Sequence, residues 1–138
     1  MTRAADARYC TESLPGESKM SATQPIKKDL PKTFKEFIAK FPALGDAHES
    51  IAKAVQSAGP LDRKTCELIK IGISVGAGLE TATKSHVRRA LEHGATQGEI
   101  EQAILLAYNT CGFPRMVMAW QWACQQIERG TQDSRDRK

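Results

Sequence analysis

The chain is predicted to fold entirely as α-helices, and three features of its sequence support this. Apolar residues recur every three or four positions from Pro31 onward, which is the spacing of one helix face. Residues that typically start or end helices, such as Asp62, Gly94 and Thr96, separate these stretches. No stretch shows the alternation of apolar and polar residues that indicates a half-buried strand. We therefore expect a bundle of six helices.

The first two predicted helices are amphipathic. Pro31 suits the first turn of a helix, because proline is well tolerated there. The apolar face of this helix consists of Phe34, Phe37 and Ile38. The Phe41-Pro42 pair interrupts the pattern, and a second helix follows over about residues 43–57. Its apolar face consists of Leu44, Ile51 and Val55. Gly59-Pro60 ends it.

The third predicted helix has hardly any polar face. Asp62 can cap its start, and the helix runs to about Val75. Its apolar residues are Cys66, Leu68, Ile69, Ile71, Ile73 and Val75. A helix that is apolar nearly all round is typical of a core element, so we expect it to be central and buried. Gly76-Ala77-Gly78 then permits a tight turn.

The fourth predicted helix, over about residues 80–92, carries His86 on a face of small residues. That face consists of Ala82, His86 and Ala90, with Val87 and Leu91 beside it. The charged residues of the opposite side are Arg88, Arg89 and Glu92. Gly94 is a natural residue to end this helix.

Two more helices complete the predicted bundle. Thr96 and Glu99 have the spacing of a capping box at the start of the fifth helix. Its core face consists of Ile100, Ala103, Ile104 and Ala107. After a turn at Cys111-Gly112-Phe113-Pro114, the sixth helix aligns Phe113, Met116, Val117, Trp120, Cys124 and Ile127. Since Trp120 and Trp122 cannot both face one core, we expect Trp120 to be buried and Trp122 to meet a partner subunit.

At 138 residues the chain is long enough for one domain with a real core. We predict a helical domain over residues 31–129, between a polar tail at 1–30 and a charged tail at 130–138. Met20 is a second candidate for the translation start. In that interpretation, residues 1–19 are an upstream extension.

The composition argues against several classes of protein. The net charge of +4 is modest, and the basic pairs are not interleaved with aromatic residues, which favours a solvated surface over nucleic-acid binding. No apolar run has the length of a secretory signal or a membrane span. None of the four cysteines has metal or redox spacing, and His48, His86 and His93 suggest no metal site. We expect a cytoplasmic protein without a metal or cofactor.

Four short motifs, in this order and spacing, resemble the carboxymuconolactone decarboxylase and alkylhydroperoxidase-D superfamily. They are Glu67-Leu68-Ile69, His86-Val87-Arg88-Arg89-Ala90-Leu91, Gly94-Ala95-Thr96-Gln97-Gly98-Glu99-Ile100 and Gly112-Phe113-Pro114. The resemblance covers roughly residues 41–127. It implies an all-helical subunit that assembles with copies of itself, often as a trimer or hexamer.

The chain departs from the redox members of this superfamily at two positions. Those members carry a Cys-x-x-Cys pair between the glutamate and the histidine, where this sequence has Leu79 and Ala82. A thiolate is the required nucleophile and electron donor in that chemistry. We therefore expect negligible dithiol peroxidase activity, with Cys66 and Cys111 as poor substitutes because neither has a partner at suitable spacing.

The retained glutamate and histidine are the candidate catalytic residues. The resemblance to the cysteine-free decarboxylase branch implies that Glu67 and His86 transfer a proton without a cofactor. We expect their pocket to be lined by Leu79, Ala82, Phe113 and Pro114. A purely structural reading stays open beside this one. His86 would then be a core or interface residue, and Glu67 a tether between helices, since a carboxylate in an apolar helix must be paired.

Three functions remain open from the sequence. The first is a cofactor-free lyase or isomerase acting on a small carboxylated or lactone-like substrate. The second is a catalytically silent oligomer that binds a ligand or a protein. The third, a peroxidase-type antioxidant enzyme, is disfavoured by the missing cysteine pair.

Overall fold

A computed structural model describes residues 31–136 of the chain, and within this range the protein contains helices and no strand. The helices are α1 Lys32–Lys40, α2 Pro42–Ser57, α3 Arg63–Ala77, α4 Glu80–Glu92, α5 Gln97–Leu105, α6 Tyr108–Cys111 and α7 Phe113–Arg135. The predicted all-helical fold and its six principal helices are confirmed, with α6 as an additional four-residue helix. The tail predicted at residues 1–30 lies outside the described residues.

The segment of residues 31–45 forms a unit of its own. Helix α1 follows Pro31 and ends at Phe41, whose backbone N–H donates to the Phe37 carbonyl. The rings of Phe37 and Phe41 pack with their centroids 5.3 Å apart. Gly45 lies against Ile38 so closely that a Cβ at position 45 would come within 3.0 Å of its side chain.

The remainder of α2 belongs to the second unit, which begins at Asp46. The helix ends at Ser57, whose hydroxyl donates to the carbonyls of Lys53 and Ala54. No residue of α2 is buried, although its whole length is described. The predicted apolar face is therefore present but exposed, with Ile51 and Val55 both open to solvent.

Helices α3 and α4 form a hairpin that carries the candidate site. The Asp62 carboxylate accepts from the Thr65 N–H at 2.7 Å and so caps α3 as predicted. Gly78 ends α3 with φ +70°, a left-handed conformation that favours glycine. Leu79 follows directly as the residue before α4. The two helices therefore turn back on each other within two residues.

The core is built from four helices. α3 packs along α4, and α5 and α7 both contact α3 and α4. The buried apolar side chains are Ile71, Val75, Val87, Ala90, Ala95, Ile100, Ile104, Ala107, Met116, Ala119 and Ala123. Five of them are alanines, whose small side chains allow close approach of the helices around the buried isoleucines and valines. None of the helices within residues 31–136 is long and apolar enough to cross a membrane.

The prediction that α3 is buried all round was wrong. Its buried residues are Glu67, Ile71, Ser74 and Val75, which face the core on one side. On the other side Ile69 is 46% exposed and Ile73 is 66% exposed. The sequence pattern shows only that both sides are apolar, and the fold covers one of them.

The predicted burial of the two tryptophans was also wrong. Trp120 is 46% exposed, whereas Trp122 packs partly buried against the core. The inner face of α7 is centred on Met116, Ala119 and Ala123 rather than on its bulkiest residues. Small side chains let α7 approach the other helices. A prediction that assigns the inner face from the largest apolar residues overlooks these alanines. The helix continues to Arg135, into the segment predicted as a charged tail.

Helix α5 is fixed at its start by the predicted capping box. The Thr96 hydroxyl accepts from the Glu99 N–H at 3.2 Å, and the Glu99 carboxylate accepts from the Thr96 N–H at 2.7 Å. The same carboxylate accepts from Lys64 of α3 at 2.8 Å. One side chain thus caps α5 and joins it to α3.

Replacing Thr96 is expected to destabilise the fold by about 1 kcal/mol, because Thr96→Ala removes the side-chain acceptor of the Glu99 N–H in the first turn of α5. The matched control is Thr131→Ala, since the Thr131 hydroxyl only donates to the Ile127 carbonyl within α7. The free energy of unfolding in urea measures both variants. Equal losses for the two would contradict the role of the capping box.

Candidate active site

Glu67 is a buried carboxylate in the middle of the core. It lies on the inner face of α3 and is 3% exposed. Removing an ionised carboxylate from water is costly unless it is paired and hydrogen-bonded. The fold therefore has to supply partners for both carboxylate oxygens.

His86 and Lys70 are those partners. The His86 Nδ1 atom lies 2.7 Å from Glu67 Oε2, and Lys70 Nζ donates to Glu67 Oε1 at 3.1 Å. The predicted pair of Glu67 and His86 is thus brought together across the α3–α4 hairpin. Lys70 was missed by the sequence reasoning, although its position three residues after Glu67 on one helix was a usable signal.

The Glu67 carboxyl group is held in its ionised form. Burial by itself raises the pKa of Glu67, but the hydrogen bonds and charges of His86 and Lys70 outweigh it and lower the pKa to about 2. At neutral pH the carboxylate is therefore an acceptor on both oxygens, and it holds no proton to transfer.

This ionisation state determines how His86 is protonated. Because the carboxylate can only accept, the hydrogen-bond network assigns a proton to His86 Nδ1. The other ring nitrogen, Nε2, has no hydrogen-bond partner among the described residues, and 18% of the side chain is exposed. Nε2 is therefore the atom that can exchange a proton with a bound molecule.

The other predicted site residues lie at the start of α4 and of α7. Ala82 is one turn before His86 on α4, and Leu79, which is 54% exposed, immediately precedes that helix. Phe113 and Pro114 are exposed at the start of α7, where the Phe113 ring packs against Tyr108 with centroids 5.9 Å apart. Of the four, Ala82 lies on the helix of His86 and Leu79 directly precedes it, whereas Phe113 and Pro114 belong to α7.

A groove of about 780 Å³ lies elsewhere, along the exposed side of α3. It is lined by Thr65, Leu68, Ile69, Gly72, Ile73, Gly76, Glu99, Gln102, Ala103, Leu106, Ala107, Thr110 and Cys111. Neither Glu67 nor His86 contributes to it. This groove is therefore separate from the candidate catalytic residues.

The cysteines and the metal-binding side chains add no second centre within residues 31–136. Cys66, Cys111 and Cys124 are free thiols. The Cys66 thiol donates to the Leu61 carbonyl at 3.7 Å, and burial raises the pKa of the Cys124 thiol. No cluster of three histidine, cysteine or acidic side chains in the described part of the chain is arranged to hold a metal ion.

Comparison with known proteins agrees with this fold and these motifs. Residues 42–125 match the carboxymuconolactone decarboxylase family. The chain belongs to that family. An uncharacterized relative in Methanocaldococcus jannaschii is 31% identical over 78 residues, which span 56% of this chain and 73% of the relative. The apo crystal structure of a carboxymuconolactone decarboxylase family protein from Legionella pneumophila superimposes with a TM-score of 0.62. It is 26% identical, and the match covers 70% of this chain and 86% of that one.

Glu67→Gln is expected to remove a pH-dependent part of the stability. The pKa of Glu67 is lowered from 4.5 to about 2 on folding, so its contribution is complete above about pH 5 and is lost as the pH falls towards 2. The shift corresponds to at most roughly 3 kcal/mol. Urea unfolding of wild type and variant across this range measures the difference, which should shrink as the pH falls.

The exposed glutamate of α7 provides the control for this experiment. Glu128→Gln should leave the pH dependence of unfolding close to that of the wild type. A stability difference between wild type and Glu67→Gln that is the same at about pH 6 and about pH 3 would rule out the ionised, paired carboxylate.

Proposed function

We propose that this protein is a cofactor-free lyase or isomerase that acts on a small carboxylated or lactone-like substrate. The observation that supports this most is the bond between the ionised Glu67 and His86 Nδ1. It fixes the imidazole in one orientation and leaves Nε2 for the substrate. His86 is the proposed proton-transfer residue, and Glu67 is a positioning residue.

In the decarboxylase reaction, proton transfer completes the loss of carbon dioxide. The bond between the substrate carbon and its carboxylate breaks, carbon dioxide leaves, and the electron pair stays on the substrate as an enolate. Protonated His86 then donates its Nε2 proton to that carbon and becomes neutral. Solvent returns the proton to His86, so one proton is consumed for each carbon dioxide released.

Glu67 and Lys70 support this cycle without exchanging protons themselves. The ionised carboxylate accepts from Nδ1 and so orients the ring, as an acidic partner does for a catalytic histidine. Lys70 occupies the second carboxylate oxygen, and so keeps Glu67 from rotating away. An isomerase would use the same parts, with Nε2 removing a proton from one carbon and returning it to another.

We further propose that the protein works in the cytoplasm as a homo-oligomer. A reducing compartment agrees with the free thiols of the described helices. Exposed apolar side chains from α3 onward are Ile69, Ile73, Leu79, Leu105, Leu106, Tyr108, Phe113, Val117, Met118 and Trp120. Apolar surface of this extent is typical of faces covered by another protein, and a trimer or hexamer agrees with the family resemblance.

His86→Ala is expected to reduce turnover by roughly a hundredfold or more, because it removes the general acid. The measurement is release of carbon dioxide from γ-carboxymuconolactone by the purified protein. Glu67→Gln should also lower turnover, because a neutral amide is a weaker acceptor for Nδ1 and holds the ring less firmly in one orientation. His93→Ala, at the exposed end of α4, is the matched control and should retain wild-type turnover.

Two results would refute the catalytic assignment of His86. One is unchanged turnover per folded subunit in His86→Ala together with loss of assembly, which would make the residue structural. The other is a wild-type protein that binds such lactones and does not convert them, which would favour the catalytically silent alternative.

Light scattering at micromolar concentration is expected to show at least a dimer. Ile73→Glu should lower the mass, because it places a charge in the exposed apolar face of α3. Gln121→Glu, which adds a similar charge to an exposed position of α7, should not. A wild-type monomer at every accessible concentration would contradict the proposed assembly.

A further inference from the structure

The groove of about 780 Å³ along α3 has the shape that receives another helix. On the α3 side its lining includes Ile69, Gly72 and Ile73. A Cβ at position 72 would meet open space, so glycine leaves a gap between two large apolar side chains that are themselves exposed. Gaps between side chains on one helix are where the ridge of a second helix packs. The groove extends along α3 from Thr65 to Gly76, which is roughly 16 Å.

Helix α2 carries an apolar ridge that its own subunit leaves uncovered. Ala47, Ile51 and Val55 recur every four residues and so lie in one row along the helix. Ile51 is 64% exposed and Val55 is 63% exposed. The charged pair of Glu49 and Lys53 lies on the opposite side of the helix, towards solvent. The ridge thus has the pattern of a packed helix face without the packing.

We propose that the α2 ridge of one copy of this chain occupies the α3 groove of a second copy, which returns the same contact. This inference rests on the proposed homo-oligomer and names the surfaces that join it. From residue 46 to residue 57 the helix is about 18 Å long, which matches the length of the groove. The exchange breaks no packing within a subunit, because no residue of α2 is buried in its own.

The area that this exchange buries is enough for a stable dimer. A helix of this length, covered over about half of its circumference, loses roughly 300–400 Å² of accessible surface, and the groove loses a similar amount. Stable interfaces bury at least about 1,200 Å² in total, which one such contact does not reach. Two contacts related by a two-fold axis do reach it. The reciprocal arrangement is therefore the one that holds two copies together.

Two other occupants of the groove are separated from a second copy by experiment. One is α2 of the same subunit, folded back over residues 58–62, which join it to α3. The other is a small apolar ligand. Only a second copy predicts a link between α2 and the groove that doubles the mass of the chain.

Cys111 provides a native probe of the groove. It is a free thiol in the groove lining, and its Sγ lies 3.8 Å from the position of a Cβ on Gly76. Ala47→Cys and Val55→Cys, made singly, place a second thiol at either end of the α2 ridge. The other cysteines, Cys10, Cys66 and Cys124, are first replaced by serine.

Oxidation of these variants by diamide should produce a disulfide-linked dimer on a gel without reductant. Whichever of the two thiols lies nearer to Cys111 should give at least about tenfold more dimer than Lys53→Cys, because docking raises the effective concentration of the thiols. The Lys53→Cys variant is the matched control, since its thiol lies on the polar side of α2. Adding Cys111→Ser should abolish the linked dimer. Urea unfolding of the reduced variants confirms that each is folded.

Three results would overturn this inference. The first is a disulfide within one subunit, seen as lost thiols without a change in mass. The second is equal linking by the Lys53→Cys variant. The third is no link from either end of the ridge in a protein that light scattering shows to be an oligomer, which would leave the proposed assembly standing on another interface. A wild-type monomer at every concentration would instead refute the assembly and this inference together.

Discussion

The buried carboxylate of Glu67 is the constraint on which the rest of this structure depends. An ionised group that is 3% exposed is tolerated only because His86 and Lys70 occupy its two oxygens. These contacts set the register of α4 against α3, since residues 19 positions apart must meet across the turn at Gly78. A slip of the hairpin by one residue would leave the charge unpaired in the core. The same bonds that stabilise the hairpin also determine which nitrogen of His86 is protonated.

The turn that permits this pairing joins it to α7. Gly78 adopts a left-handed conformation and leaves space for the Arg115 guanidinium, so the α3–α4 turn and a side chain from the start of α7 meet at this position. Glu99 performs a similar function at the other end of α3, where it caps α5 and accepts from Lys64. Polar contacts thereby hold the hairpin at its Lys64 end, while alanines such as Ala90, Ala119 and Ala123 fill the middle of the core. Rigid support of this kind keeps the His86 imidazole in one orientation.

How well the sequence predicted each contact depended on how far apart in the chain the contacting residues lie. Local signals such as the Asp62 cap and the Thr96 capping box depend on residues three positions apart, and they were confirmed. The meeting of Glu67 and His86 was predictable because a carboxylate in an apolar helix requires a partner. The contact of Arg115 with Gly78 joins residues 37 positions apart and leaves no trace in either helix pattern. The positions of Trp120 and Trp122 were mistaken because alanines, rather than bulky residues, determine the inner face of α7.

The ionised state of Glu67 determines what the absence of the cysteine pair means for the chemistry of the site. With Leu79 and Ala82 at those positions, no thiol next to His86 on α4 can relay electrons or a proton. Glu67 cannot replace it as a proton donor, because its pKa of about 2 keeps it ionised throughout the physiological range. Proton exchange in this pair is therefore left to His86, through Nε2. An imidazole held in this way suits the protonation or deprotonation of a single carbon, which is the chemistry proposed for this site.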